Sequence, residues 1–97
     1  MHKREEVLRI LSEHLPELKQ QYPIKSLALF GSVARGDQTE NSDVDILVDF
    51  DGGIGYFGVG RLERKLEELT GCKVDLVPST SIKRQFRERI LSEAIYA

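Results

Sequence analysis

Two stretches, Ile24-Lys25-Ser26-Leu27-Ala28-Leu29-Phe30-Gly31-Ser32 and Asp43-Val44-Asp45-Ile46-Leu47-Val48-Asp49-Phe50, decide how this chain folds. The first is an apolar run too short for an independent helix, bounded by Pro23 and Gly31, and reads as a strand. The second alternates Val44, Ile46, Val48 and Phe50 with Asp43, Asp45, Leu47 and Asp49, which predicts a half-buried strand with an apolar and an acidic face.

Outward from this pair, the signals become helical. Val7, Leu8, Leu11 and Leu15 predict an amphipathic helix over about residues 3–15, with Pro16 breaking it and opening a short second turn. Ser32 to Arg35 reads as a short helix. Val59, Leu62, Leu66 and Leu69 mark another, with Gly71 as its left-handed cap. Lys73 to Val77 predicts a third strand, with Val74 and Leu76 inward and Asp75 opposite. Ser79-Thr80-Ser81 offers helix N-caps before a last stripe of Ile82, Phe86, Ile90 and Ala94. Strands interleaved with helices imply an α/β or α+β fold. Ninety-seven residues leave room for one core, so residues 1–97 are read as one domain.

Composition narrows the function classes. With 40% apolar and 31% charged residues the chain looks like an ordinary soluble protein. Its net charge of −2 argues against direct nucleic-acid binding as its main business. Cys72 has no disulfide partner, and no Cys/His set has zinc spacing. The charged start lacks a signal core and no apolar run could span a bilayer, so a cytoplasmic, membrane-free protein is expected.

The chemistry lies in the carboxylates. Side chains two apart on a strand share a face, so Asp43 and Asp45 stand about 6.6 Å apart along it. Unpaired, they repel by roughly 2.5 kcal/mol at an effective dielectric of 20. If the third strand lies beside the second, Asp75 joins them across a gap of about 4.8 Å. Divalent cations would turn that repulsion into attraction, and hard oxygen ligands point to magnesium or manganese. Gly31-Ser32 follows a strand and opens a helix, where a bare Cα lets backbone N–H groups approach phosphate. On this reading Gly31→Val leaves the thermal melt nearly intact and removes nucleotide binding. Together the two features suggest phosphoryl or nucleotidyl transfer with two metals.

Gly31-Ser32, ten residues, then Asp43-Val44-Asp45 resembles the Gly-Ser-x10-Asp-x-Asp signature of the DNA polymerase beta nucleotidyltransferase superfamily. The segments Leu27 to Gly36 and Ser42 to Val48 resemble its minimal branch, and Lys73-Val74-Asp75-Leu76-Val77 resembles the strand bearing that family's third aspartate. The resemblance implies an α+β fold, a small mixed sheet flanked by helices. It further implies that Asp43, Asp45 and Asp75 are catalytic and hold two Mg2+ or Mn2+ ions, and that Gly31 and Ser32 hold the triphosphate of ATP. Arg35, read from its position alone, is a candidate phosphate contact or equally an exposed arginine after a short helix. Members of the minimal branch often pair with a separate helical HEPN-type partner as antitoxins, some by adding adenylyl groups to a partner tyrosine. A module that neutralises its partner by binding alone is the alternative.

Several features have simpler readings. Gly53-Ile54-Gly55-Tyr56-Phe57-Gly58 matches a dinucleotide-binding pattern, but so short a chain lacks the doubly wound sheet, and the glycines read as a mobile loop beside the site. Lys83, Arg84, Arg87 and Arg89 read as a solvated helix face, although nucleotide, nucleic acid or an acidic partner would also suit them. Cys72 reads as a small core residue, His2 and His14 as surface positions, and Tyr22, Tyr56 and Tyr96 as packing.

Overall fold

A computed structural model describes residues 3–39, 41–55 and 57–97; His2 and Tyr56 lie outside them. The elements run α1 (Lys3–Gln21), β1 (Ile24–Phe30), α2 (Gly31–Arg35), β2 (Val44–Phe50), α3 (Gly58–Thr70), β3 (Val74–Pro78), a 3-10 turn over Ser79–Ser81, α4 (Arg84–Glu93) and β4 (Ile95–Tyr96). The strands form one sheet in the order β3-β2-β1-β4. β1 runs antiparallel to β2 and β4, whereas β2 and β3 are parallel, with α3 as their crossover. This is the expected small mixed sheet with flanking helices.

One face of the sheet builds the core. Leu27 and Leu29 of β1, Val44, Ile46 and Val48 of β2, and Val74 and Leu76 of β3 are buried with Val7, Leu11 and Leu18 of α1 and Leu62 and Leu66 of α3. Each such leucine or valine stabilises the fold by about 1.5–3 kcal/mol on burial. The period of two then sends Asp45, Leu47, Asp49 and Asp75 to the other face. That face is not uniformly acidic. Leu47 and its register partner Ala28 are only 4% and 0% exposed, so mid-strand β2 is buried on both sides. As an edge strand, β3 offers unpaired N–H groups. Two of them, on Val74 and Leu76, donate to Glu67 Oε2 (3.1 Å) and Glu63 Oε2 (3.0 Å) of α3.

Four details differ from the sequence expectation. Pro16 lies inside α1 rather than ending it. Both Pro16 and Ser12, whose carbonyl loses its helical partner, face solvent, and the turn beyond buries Leu18 completely. That burial offsets much of the roughly 3 kcal/mol an interior proline costs. Ser79-Thr80-Ser81 forms its own turn, and α4 begins five residues after Ser79 with Lys83 as its N-cap and no side-chain cap bond. The expected stripe on the last helix is not a core face: no residue of α4 is buried, and Phe86 is 48% exposed. Ala94 is extended, and Ile95–Tyr96 adds to β1 opposite Leu29 and Ala28. Two residues are too few to show a periodicity, so this strand carries no sequence signal.

Gly71 caps α3 at φ 67° as expected. Cys72 packs against the core, and its thiol contacts the Thr70 carbonyl at 3.4 Å. Tyr22 also packs on the core, Tyr96 is exposed, and His14 pairs with Glu17 at 3.5 Å on the surface of α1. Among the described residues no helix is long and apolar enough to cross a membrane.

Candidate active site

The antiparallel register of β1 and β2 sets Phe30 opposite Asp45, and the parallel register of β2 and β3 sets Asp45 beside Asp75. A row Phe30–Asp45–Asp75 therefore crosses three strands on the face away from the core. Adjacent members stand one strand spacing apart, about 4.8 Å. Asp43 lies two residues upstream of Asp45, just before β2 begins rather than on it. It borders an open polar groove of about 360 Å³ together with Ser42, Lys3 and Lys73. The conditional placement of Asp75 in the sequence reading thus holds, because α3 returns the chain parallel to β2 in that register.

Asp45 carries the electrostatic load of the row. Partial burial pushes its carboxyl above the usual aspartate range, and the charges of Asp75 and then Asp43 push it further; Arg35 partly relieves it. Asp49, on the same face four residues on, accepts a hydrogen bond of 3.0 Å from Ser79 Oγ. Such a donor compensates a carboxylate for lost hydration.

Gly31 closes the row from the β1 side. It starts α2 at φ 75°, and a Cβ built there would collide with Asp45 Oδ2 and lie 3.0 Å from its Cγ. The bare Cα expected at this turn is present, but part of its use is to admit the Asp45 carboxylate. The expectation that Gly31→Val leaves the melt nearly intact is therefore corrected: a side chain here meets both a left-handed backbone and Asp45. Ser32 follows as the second residue of α2, and its carbonyl accepts from the Asp37 amide at 3.0 Å.

Arg35 ends α2 with its guanidinium already engaged. Nε donates to Asp37 Oδ2 at 3.1 Å and Nη1 to Glu93 Oε2 at 3.0 Å. The bond to Asp37, ahead of that to Glu93, holds its proton more tightly than usual. The second bond ties α2 to α4. Glu93, Phe86 and Arg89 of α4 therefore belong to the surroundings of the row, although their local sequence shows only a mixed-charge helix. All four basic residues on and before α4, Lys83, Arg84, Arg87 and Arg89, are exposed, and of these Arg89 alone lines the cavity beside Gly31.

The glycine cluster at 52–60 does not lie beside the carboxylates. β2 carries the chain roughly 20 Å from Asp45 to Asp51, whose amide donates to the Pro23 carbonyl at 2.7 Å at the start of β1. Antiparallel pairing places that turn at the opposite end of the sheet. Gly58 is needed there because a Cβ would strike the Ile54 side chain.

The donor chemistry suits a hard divalent cation: oxygen atoms only, negatively charged, with a mutual repulsion that a cation would remove. Among the described residues no three His, Cys, Asp or Glu side chains stand as a ready-made coordination group. The carboxylates share a face and an electrostatic cost, which a change of rotamer could turn into shared ligation.

Comparison with known proteins adds to this geometry. A sequence model described as "Nucleotidyltransferase domain" matches residues 11–97. Protein adenylyltransferase MntA of Thermococcus cleftensis is 40% identical over 92 residues, which cover 95% of this chain and 93% of that protein. The solved structure of a candidate minimal nucleotidyltransferase is 38% identical, with a TM-score of 0.80 over 98% of this chain and 95% of that one. A structure of tri-AMPylated Shewanella oneidensis HEPN toxin in complex with MNT antitoxin is also similar, with a TM-score of 0.59 over 97% of this chain and 67% of that one. At 19% identity that likeness is one of fold alone.

Proposed function

This chain belongs to the nucleotidyltransferase domain family, and on that premise we propose that it transfers an adenylyl group from ATP to a hydroxyl of a protein acceptor. The acceptor we propose is a tyrosine of a separate HEPN-type toxin, which the transfer silences, making this chain the antitoxin. One observation carries the chemistry: Asp45 and Asp75 stand in register on neighbouring strands, with Asp43 two residues away and Gly31 against Asp45. The extent of the match to an adenylyltransferase supports the choice of nucleotide. The partner is the reading that the family resemblance and the shared fold favour.

In this reading residues 1–97 act as one catalytic domain, in the cytoplasm. Asp43, Asp45 and Asp75 would hold magnesium or manganese, two ions in all, which supply Lewis acidity at the phosphate oxygens and counter the developing charge. Gly31 and Ser32 present the backbone of the β1–α2 turn to the triphosphate. The acceptor oxygen attacks the α-phosphorus, the bond from that phosphorus to the β-phosphate oxygen breaks, and pyrophosphate leaves. The acceptor proton passes to the carboxylate side of the row or to water there, and exposed Asp75 at the sheet edge is the group we assign to orient the incoming hydroxyl. Arg35, already bonded to Asp37 and Glu93, fixes α2 against α4 and leaves its remaining N–H groups for phosphate.

Intact-protein mass spectrometry after incubation with the partner, ATP and magnesium tests this. An AMP-sized mass on the partner is expected with wild type and none with Asp75→Asn, which should still bind partner and ATP. If wild type adds no mass and Asp75→Asn protects cells equally well, neutralisation works by binding alone.

A further inference from the structure

α4 spends none of its ten residues on the core, yet it carries Phe86 and Leu91 at 48% and 44% exposure. Scattered surface apolar residues are ordinary; the position of Phe86 is not. With Arg89 and Ile90 it lines an open cavity of about 210 Å³ whose other lining includes Phe30 and Gly31. Phe30 is the register partner of Asp45, and Gly31 packs on the same carboxylate, so the cavity adjoins one end of the Phe30–Asp45–Asp75 row. Arg35 and Glu93 complete the lining, joined at 3.0 Å, with Arg89 Nε 3.6 Å from the other oxygen of Glu93.

Two phenyl rings and an isoleucine, with both guanidiniums of the lining set against the Glu93 carboxylate, match the faces of a flat aromatic ligand better than they match a phosphate. The volume lies below the roughly 300 Å³ at which pockets for drug-sized ligands begin, so it suits one fragment of a nucleotide rather than the whole. We propose that this cavity takes the purine base of the donor nucleotide, stacked against Phe86 and Arg89, with its phosphates passing Gly31 toward Asp45. This rests on the adenylyl-transfer reading above. The order of the row decides between base and acceptor: the cavity lies at the Phe30 end, whereas exposed Asp75 on edge strand β3 leaves the opposite end open to a macromolecule.

Calorimetry with magnesium ATP and with magnesium tripolyphosphate, which lacks base and ribose, tests the assignment. Stacking on an aromatic side chain contributes enough that Phe86→Ala should weaken ATP roughly five- to hundredfold. Tripolyphosphate affinity should stay unchanged, and Phe86→Tyr should keep ATP affinity near wild type. Since Phe86 is half exposed, its truncation leaves the core intact. Unaltered ATP affinity in Phe86→Ala overturns the base subsite and leaves the transfer reading standing. Equal loss of both ligands also overturns it, as does normal ATP affinity with lost transfer to the partner, which would make the cavity an acceptor site. Wild type binding neither ligand removes the adenylyl-transfer reading, and this inference with it.

Discussion

Replacing Gly31 by alanine tests whether the turn and the carboxylate row are one structural unit. The backbone at Gly31 sits at φ 75°, where an L-residue costs about 1–2 kcal/mol. The new methyl group would also overlap Asp45 Oδ2 and stand 3.0 Å from Cγ and 3.2 Å from Cβ. Asp45 must leave its rotamer, at about 0.5–1.5 kcal/mol. Together these predict a loss of about 2–3 kcal/mol, which in a chain of this size lowers the melting temperature by roughly 10–20 °C. Urea denaturation of Gly31→Ala, Asp45→Ala and the double variant separates the two parts. Asp45→Ala removes the overlapping oxygen, so the double variant should be about 1 kcal/mol more stable than additivity allows. Strict additivity would mean that Gly31 and Asp45 do not touch, and a melt unchanged in Gly31→Ala would refute both parts of the reasoning.

Asp45→Asn should stabilise the metal-free protein by about 1 kcal/mol at neutral pH, the repulsion from exposed Asp75 across one strand spacing in a water-like dielectric. Because burial and then its neighbours raise the Asp45 pKa in the folded state, its favourable contribution is full below the unfolded pKa and is lost as pH rises through the folded one. Urea midpoints from pH 4 to 8 should therefore fall more steeply in wild type than in Asp45→Asn, and the reverse order would contradict the assigned cause. Pro16→Ala should restore the Ser12 carbonyl's helical bond and raise stability by about 1–3 kcal/mol; a chemical melt showing a loss would mean that the proline is needed where it is. Leu66→Ala, at a fully buried position between α3 and the sheet, should cost about 2–5 kcal/mol by the same measurement.

Much of this was legible because the deciding interactions are local. The period of two in Val44–Phe50, the period near 3.6 in Val59–Leu69 and the glycine at position 71 each report a backbone conformation through neighbours a few residues away. Amphipathic pattern also assigned faces correctly for Val74, Asp75 and Leu76. Where the reading failed, the local signal was outweighed from a distance. Pro16 stays helical because Leu18 finds a buried place against the sheet, and Ile95–Tyr96 becomes a strand only because β1 has a free edge.

The site divides the same way. Residue type and spacing alone singled out Gly31, Ser32, Asp43, Asp45 and Asp75 as candidates, since oxygen donors beside a glycine turn suit few other uses. That Asp45 meets Asp75 in register, that Gly31 is filled by the Asp45 carboxylate, and that the glycine loop sits at the far end of the sheet were decided by tertiary structure. So was the joining of Arg35 to Glu93, 58 residues later. The physical reason is common to all of these: strand register and helix docking are fixed by pairing and burial between segments distant in the chain, and a sequence pattern specifies which face a side chain takes but not which neighbour it meets there.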